Sequence, residues 1–316
     1  MPSSYEFPHY LAAKRTVDDR ALNRNVWARL AGALSDYRGP AARPLKVLEV
    51  ACGVGTMVER TLEWGLFEGC QEVHYTAIDS LPANIAAAKE QLRDLPPCFN
   101  LQVETADVFD FCSRGSEQAR YDLLIAHAFL DLLDIPSALP QLRRLLRPRG
   151  IFYFTINFDG ATILEPTIDT ALDARIEAAY HRTMDERVTD GHPSGDSRTG
   201  RHLFHNLAQG GFPVLAAGSS DWVVFPVNGH YPADEAYFLH FIVHTMHGAL
   251  HDDPAVAQPA DALRALRPCP HAVTEDSRYA VRVDHHGAAQ ALRQIHNVPP
   301  SNYWQNRRPV HSSVTQ

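Results

Sequence analysis

The sequence predicts an α/β protein whose helices cover both faces of a parallel sheet. Three observations carry that reading. From residue 45 to residue 158, apolar runs too short for a helix alternate with segments of helical period. Runs such as Tyr121 to His127 and Gly150 to Phe158 are almost continuous in apolar residues, as in strands buried on both faces. A turn-rich stretch, 38 to 44, with Gly39, Pro40 and Pro44, separates a helical lead from the first such run.

In chain order, Leu11, Val17, Leu22, Val26, Leu30 and Leu34 recur at near-helical intervals and predict one or two amphipathic helices over residues 9 to 35. Leu45 to Val50 is short and rich in Val and Leu, which predicts a buried strand. Further strands are expected at Glu72 to Asp79, Phe99 to Thr105, Tyr121 to His127 and Gly150 to Phe158, with helices at Pro82 to Arg93 and Pro136 to Leu146. Residues 159 to 198 form a long polar stretch with one helix expected over 168 to 187, and we read it as an insertion over the active face. A helix from Thr199 to Gln209, stopped by Gly210 and Gly211, precedes two strand-like runs, Val214 to Ala217 and Trp222 to Val227. A last long helix is expected from Ala233 to Leu250. Beyond it only Arg278 to Val283 reads as a strand, and the chain from Leu292 lacks an apolar period. The expected organisation is a helical lead (1–44), a main domain (45–250), an elaboration (251–287) and a flexible tail (288–316).

Hydrophobic residues make up 45% and charged residues 21% of the 316, ordinary values for a folded globular chain. Lys and Arg total 29 against 37 Asp and Glu, and the resulting charge of −8 repels a polyanion, so nucleic acid is not an expected partner. Five scattered cysteines, Cys52, Cys70, Cys98, Cys112 and Cys269, show no C-x-x-C spacing, which argues against a disulfide framework or a structural zinc site. No window approaches the roughly 18 apolar residues of a membrane span, and the first residues lack the apolar centre of a signal peptide. A cytoplasmic protein with no membrane partner is expected. Its oligomeric state is left open.

The chemistry is concentrated where strands end. The first strand runs into Glu49-Val50-Ala51-Cys52-Gly53-Val54-Gly55-Thr56, and a helix follows at once. Two glycines there let the backbone turn sharply and approach a ligand, and the helix start offers unpaired N–H groups. Val58 stands where a dinucleotide fingerprint places its third glycine, which disfavours a pyrophosphate. Asp79 closes the second strand, where an acid in a doubly wound sheet can accept both ribose hydroxyls. A third acid, Asp107, follows the third strand in Ala106-Asp107-Val108-Phe109.

With the motifs VLEVACGVGT, YTAID, TADVFDF, YDLLIAHAFLD and LLRPRGIFYFTI in this order, the sequence resembles the class I S-adenosylmethionine-dependent methyltransferases over about Leu45 to Phe158. The resemblance implies a Rossmann-like, doubly wound, mostly parallel seven-stranded sheet, with the runs after Gly211 as closing strands, a helical N-terminal lid, and the insertion after the fifth strand. It implies S-adenosylmethionine as cofactor. Ala51, Cys52, Gly53 and Gly55 would pass under its methionine part with Glu49 nearby. Asp79 and its neighbour Ser80 would hold the ribose, and Asp107 with Val108 would meet the adenine. His127 and Ala128 would border the sulfonium methyl, and in the charged stretch 14 to 23 Arg15 or Arg20 would meet the cofactor carboxylate.

If a proton must leave the acceptor, His127, Asp131 and Asp159 lie at strand ends within reach of it, in that order of preference, with His202 and His205 on the next helix. His240, His244, His247 and His251 form one stripe of the last long helix, which we read as a polar face rather than a metal site. The function expected is methyl transfer to a small-molecule acceptor. The alternatives are a nicotinamide-dependent oxidoreductase and a non-catalytic protein of the same fold that binds cofactor or a partner.

Overall fold

The structure is a computed structural model that describes residues 5–38, 43–165, 169–189, 191–253, 256 and 280–284. Three helices lead the chain: α1 (Phe7–Ala13), α2 (Arg15–Ala21) and α3 (Arg24–Arg38). There follow β1 (Leu45–Val50), α4 (Thr56–Glu63), β2 (Val73–Asp79), α5 (Pro82–Gln91), β3 (Phe99–Thr105), α6 (Val108–Ser113), β4 (Tyr121–His127), α7 (Ile135–Leu145) and β5 (Leu146–Thr155). Pro82 and Pro136 stand in the first turns of α5 and α7, where the missing N–H costs nothing. The helical lead holds three helices rather than the one or two expected, and the short α6 was not expected; Asp107 caps it, accepting hydrogen bonds from the N–H groups of Phe109 and Asp110.

The central sheet has the order β3-β2-β1-β4-β5, with every neighbouring pair parallel. The side-chain alternation of β1 explains its place at the centre. Leu45 and Val47 pack into a core shared with α3, α4 and α5, while Leu48 and Val50 enter a second core shared with α6 and α7. Because the chain moves outward from β1 to β3 and then returns to β4 on the other side, the order reverses between β1 and β4. Ligands of such sheets sit beyond the carboxyl ends of the strands at that reversal.

The sheet contains five strands among the described residues, not the seven expected. Residues 214 to 217 form no strand. Pro213 lacks an N–H to pair, and Val214 and Leu215 are about half exposed (47% and 55%), so the run has no buried face. The next run forms β9 (Asp221–Val224), which pairs antiparallel with β10 (Ala280–Asp284) in a separate three-stranded sheet. The other member of that sheet is β6 (Ile163–Glu165). The expected strand over 278 to 283 thus exists over 280–284, while the expected tail, 288–316, lies outside the described residues.

Between β6 and β9 the chain forms α8 (Thr170–Asp185), capped by Asp169, a two-stranded hairpin of β7 (Val188–Thr189) and β8 (His192–Pro193), and then, after the polar stretch, α9 (Thr199–Gln209). Ile176 and Ala179 of α8 are buried against Met246 and Leu250 of α10 (Glu235–Leu250). The histidine stripe on α10 is not a plain solvated face: His240 is buried, and His244 stacks on Tyr5 with centroids 4.1 Å apart. No helix among the described residues is long and apolar enough to cross a membrane.

Candidate active site

The ends of β1, β2 and β4 meet the N-terminal helices: Gly53, after β1, lies against Leu11 of α1 and bonds Asp79 of β2, and His127 of β4 bonds Asp18 of α2. The loop after β1 is held in a left-handed conformation: Ala51, Gly53 and Gly55 have φ of 52°, 57° and 88°. Gly53 is constrained twice, because a Cβ on it would stand 2.9 Å from Leu11 Cδ1 of α1. Its N–H donates to Asp79 Oδ2 at 2.9 Å, which ties the glycine loop to the end of β2. Asp79 Oδ1 also accepts from Leu81 N (2.9 Å) and Asn84 Nδ2 (3.0 Å). Three protein donors leave one of the roughly four acceptor positions of this carboxylate for a ligand. Asp79 is therefore less free than two ribose hydroxyls would require.

Glu49 is buried and accepts the Tyr75 hydroxyl at 2.7 Å. Burial pushes its carboxyl up to about 8, so it holds a proton at neutral pH. Cys52 is buried in the loop, and desolvation raises its thiol far above the ordinary value, which makes it a packing residue rather than a nucleophile. Ser80 and Asp107 are exposed and Val108 is buried. Ala128, at φ 54°, donates its N–H to the Thr155 carbonyl at 2.9 Å.

His127 has both ring nitrogens engaged. Nε2 lies 3.0 Å from Asp18 Oδ2 and Nδ1 lies 2.5 Å from Thr155 Oγ1. Asp18 is 2% exposed, also accepts from Trp222 Nε1 at 3.0 Å, and has the Lys14 ammonium at 3.4 Å. These cationic and donor partners hold its carboxyl well below the usual range. Burial lowers His127 to about 4 despite the carboxylate, so the ring is neutral and donates from Nε2. A base must offer a free lone pair, and His127 has none to spare here. Its expected place as first-choice base is corrected by this geometry.

Asp159 is similarly committed. It accepts the Arg201 N–H at 3.1 Å and faces that side chain's guanidinium, while Arg201 Nη2 reaches the Asp159 carbonyl at 2.9 Å. The residue secures the start of α9, and burial moves its carboxyl up to about 6. Asp131 differs. It sits in a single 3₁₀ turn, Leu130–Leu132, with a raised carboxyl pKa from desolvation and a buried Oδ1 that has no hydrogen-bond partner among the described residues.

The arginines expected at the cofactor carboxylate are elsewhere. Arg20 donates to both oxygens of Glu235, a fully buried carboxylate, at 2.5 and 2.8 Å, and to the Val223 carbonyl at 3.1 Å. Arg15 pairs with Glu59 and Glu63 of α4. Both serve to fasten α2 to its neighbours. The sequence reading did not single out Lys14 and Asp18, although they share one helical stripe with Leu11 and Leu22, at i, i+3, i+7 and i+11. Two charges on an apolar stripe are the signal of a buried pair.

A groove of about 1210 Å³ runs along the outer edge of β5, which nothing pairs with among the described residues. It reaches His127, Thr155 and Asn157 at one end and Arg147 at the other. The groove does not open over the glycine loop, because Leu11 covers it.

No curated protein matches this chain. Among solved structures it is similar to the methyltransferase (CMeT) domain of the citrinin polyketide synthase (18% identity, 54% of this chain and 40% of that one, TM-score 0.35). It is also similar to loganic acid methyltransferase with SAH (12%, 92% and 99%, TM-score 0.46). A third is phosphoethanolamine N-methyltransferase 2 of Haemonchus contortus (11%, 89% and 60%, TM-score 0.40). The chain spans less than two thirds of the first and third of these. A family model described as a methyltransferase domain matches residues 48–152, the stretch from β1 through β5 whose glycine loop and Asp79 are joined by a hydrogen bond. Over that stretch the chain is similar to a methyltransferase domain, consistent with the class I S-adenosylmethionine-dependent superfamily.

Proposed function

We propose that the protein transfers a methyl group from S-adenosylmethionine to a small-molecule acceptor in the cytoplasm, with 45–250 as the catalytic unit and residues 1–44 and 159–198 as the walls of the acceptor pocket. The observation that carries this reading is the Gly53–Asp79 hydrogen bond inside the matched domain, which brings the loop for an amino-acid moiety and the acid for a ribose to one spot. The residues fit an adenosyl cofactor. Asp79, with three protein donors, keeps an open acceptor position for a ribose hydroxyl. Ser80 and Asp107 are exposed, and we assign them to the ribose and the adenine. The match over 48–152 leaves the nicotinamide reading without support.

Bound S-adenosylmethionine supplies a methyl already activated on a sulfonium, so the chain's task is mostly orientation. His127, locked between Asp18 and Thr155, is a rigid wall beside the methyl position. Asp131, alone of the three proton acceptors considered, has a carboxyl oxygen without a hydrogen-bond partner among the described residues, and we assign it the acceptor's proton.

S-adenosylhomocysteine at one hundred times its Kd stabilises the folded state by about 2.7 kcal/mol, which raises Tm by several degrees. NAD and NADP at equal concentration leave Tm unchanged. Incubation with S-adenosylmethionine labelled on its methyl group and a metabolite extract puts label in the small-molecule fraction. Label found only in protein or nucleic acid counts against the acceptor class, and indifference to both adenosyl ligands counts against the cofactor.

A further inference from the structure

The outer edge of β5 is the floor of a groove between two helices. On one face of the strand Ile151 and Tyr153 belong to the core that Leu30 of α3 enters, and on the other Phe152 and Phe154 belong to the core that Leu203 and Leu207 of α9 join. α3 and α9 are therefore its walls, and Phe204, Val214 and Leu215 line it while exposed. Apolar side chains left open to water along one cleft mark a binding surface. At about 1210 Å³ the space exceeds the roughly 300–1,000 Å³ of most small-ligand clefts, so it suits a molecule longer than a compact metabolite. Thr155 lies six residues beyond Arg149 on the strand, a floor of about 20 Å.

The charges of the lining residues say what that molecule carries. Arg143, in the last turn of α7, and Arg147 and Arg149, at the start of β5, line one end, and Arg29 lines the α3 wall. Arg147 shares the buried Asp122 with Arg43, while Arg29, Arg143 and Arg149 form no ion pair among the described residues. The acids that line the groove are Asp18, Asp36 and Asp159. Asp18 is taken by Lys14, His127 and Trp222, and Asp159 by Arg201, which leaves Asp36 alone against four guanidiniums. In a chain of net charge −8 this local excess of positive charge selects an anion. An added peptide strand suits the edge poorly. Pro148 has no N–H to give, and Arg149 stands at φ 66°, so a ladder would be interrupted where the cations lie.

We propose that this groove binds an elongated amphiphilic acid, with its anionic group among Arg143, Arg147 and Arg149, its apolar chain along the edge of β5, and a polar group at the far end beside His127 and Asn157. That this ligand is the methyl acceptor, with the polar far end receiving the methyl, rests on the reading above. The groove then sets acceptor length and charge, while the glycine loop and Asp79 serve the cofactor.

Calorimetry on the full chain, with and without S-adenosylhomocysteine, compares 12-hydroxydodecanoate, its uncharged methyl ester and 6-hydroxyhexanoate. A charge-assisted hydrogen bond contributes about tenfold or more in affinity, and each buried methylene about fourfold. Wild type is expected to bind the long acid at least tenfold tighter than its ester and at least tenfold tighter than the short acid. The double variant Arg143→Gln, Arg149→Gln brings acid and ester within about threefold and leaves S-adenosylhomocysteine affinity within twofold. Ala33→Trp, which narrows the groove from α3, weakens the long acid and its ester alike by about tenfold. Equal binding of acid and ester by wild type, or an unchanged preference in the arginine variant, overturns the anionic end. Equal binding of long and short acids, or a parental Ala33→Trp, overturns the apolar seat. A hexaglutamate peptide that binds where the long acid does not gives the edge to a protein partner and overturns the proposal. No binding of the long acid by a protein that binds S-adenosylhomocysteine overturns this assignment alone, whereas binding of the long acid by a protein indifferent to adenosyl ligands upholds the groove and overturns the methyl-transfer reading.

Discussion

His127 donates its Nε2–H to the Asp18 carboxylate at 3.0 Å, joining the end of β4 to the N-terminal helices across 109 residues of chain. The bond fixes the tautomer, since Nδ1 is left to accept the Thr155 hydroxyl. Two opposing effects act on the ring: Asp18 favours the imidazolium, while burial and the cations Lys14 and Arg60 disfavour it. Burial is the larger, and the ring titrates near 4.

A pH dependence follows, with a definite sign. Because the folded-state value lies below the ordinary 6.5, the unfolded chain binds a proton first as pH falls. The contribution of neutral His127 to stability is thus complete above 6.5 and is lost as pH falls from there to about 4. Denaturant unfolding of wild type and His127→Gln across that interval checks it. The variant is less stable at pH 7 and flatter below pH 6.5. Equal slopes for the two proteins would mean that His127 is protonated in the native state.

Glu49 predicts the opposite slope in an overlapping window. Its folded value of about 8 exceeds the ordinary 4.5, so the native state keeps a proton that the unfolded chain has released. The stability this gives is complete below 4.5 and is lost as pH rises to about 8. Glu49→Gln mimics the protonated acid and can still accept from Tyr75, so the variant is expected to match wild type near pH 5 and exceed it at pH 8. An unchanged difference in Tm between those two pH values would show that Glu49 is ionised in the fold.

The ends of the strands were the most legible part of this chain, for a physical reason. In a sheet covered on both faces, composition alone marks β1, β3 and β4, and their bounds coincide with the expected ones. The turn that must follow β1 needs left-handed backbone, which glycine announces. What the sequence did not disclose was pairing at a distance. Nothing local tells Arg20 that its partner is Glu235, or Asp159 that its partner is Arg201. For the same reason Trp222 to Val227 read as a closing strand of the main sheet. Strand propensity identifies an extended segment, but its partners, here β10, are decided by the rest of the fold.

Asp79→Ala tests the ribose assignment and carries a structural cost. The carboxylate satisfies donors of Gly53, Leu81 and Asn84, which lose their acceptor in the variant. A loss of about 1–3 kcal/mol of stability is expected from orphaned buried donors. S-adenosylhomocysteine affinity falls further, by about tenfold to a hundredfold, from the lost charge-assisted bond to the ligand and the loosened glycine loop. Asp79→Asn separates the two, since its amide oxygen retains part of the acceptor capacity but no charge. Parental affinity in a folded Asp79→Ala would remove this residue from the site.

Arg20→Met distinguishes a fastening role from a cofactor role. Glu235 is fully buried and takes two hydrogen bonds from Arg20 and one from Thr16 Oγ1 at 2.7 Å. Removing one partner of a buried ion pair costs about 3–5 kcal/mol when the remaining charge is wholly cut off from water. The Arg20 side chain is 45% exposed, so water enters where it was and Thr16 remains, which brings the expected loss to about 1–2 kcal/mol. The double variant Arg20→Met, Glu235→Gln regains part of that loss, because no buried charge is left without a partner. S-adenosylhomocysteine affinity stays within twofold of wild type in both, since the guanidinium rests against α10 and the Val223 carbonyl rather than over the glycine loop. A tenfold loss of affinity in folded Arg20→Met would return the cofactor carboxylate to Arg20.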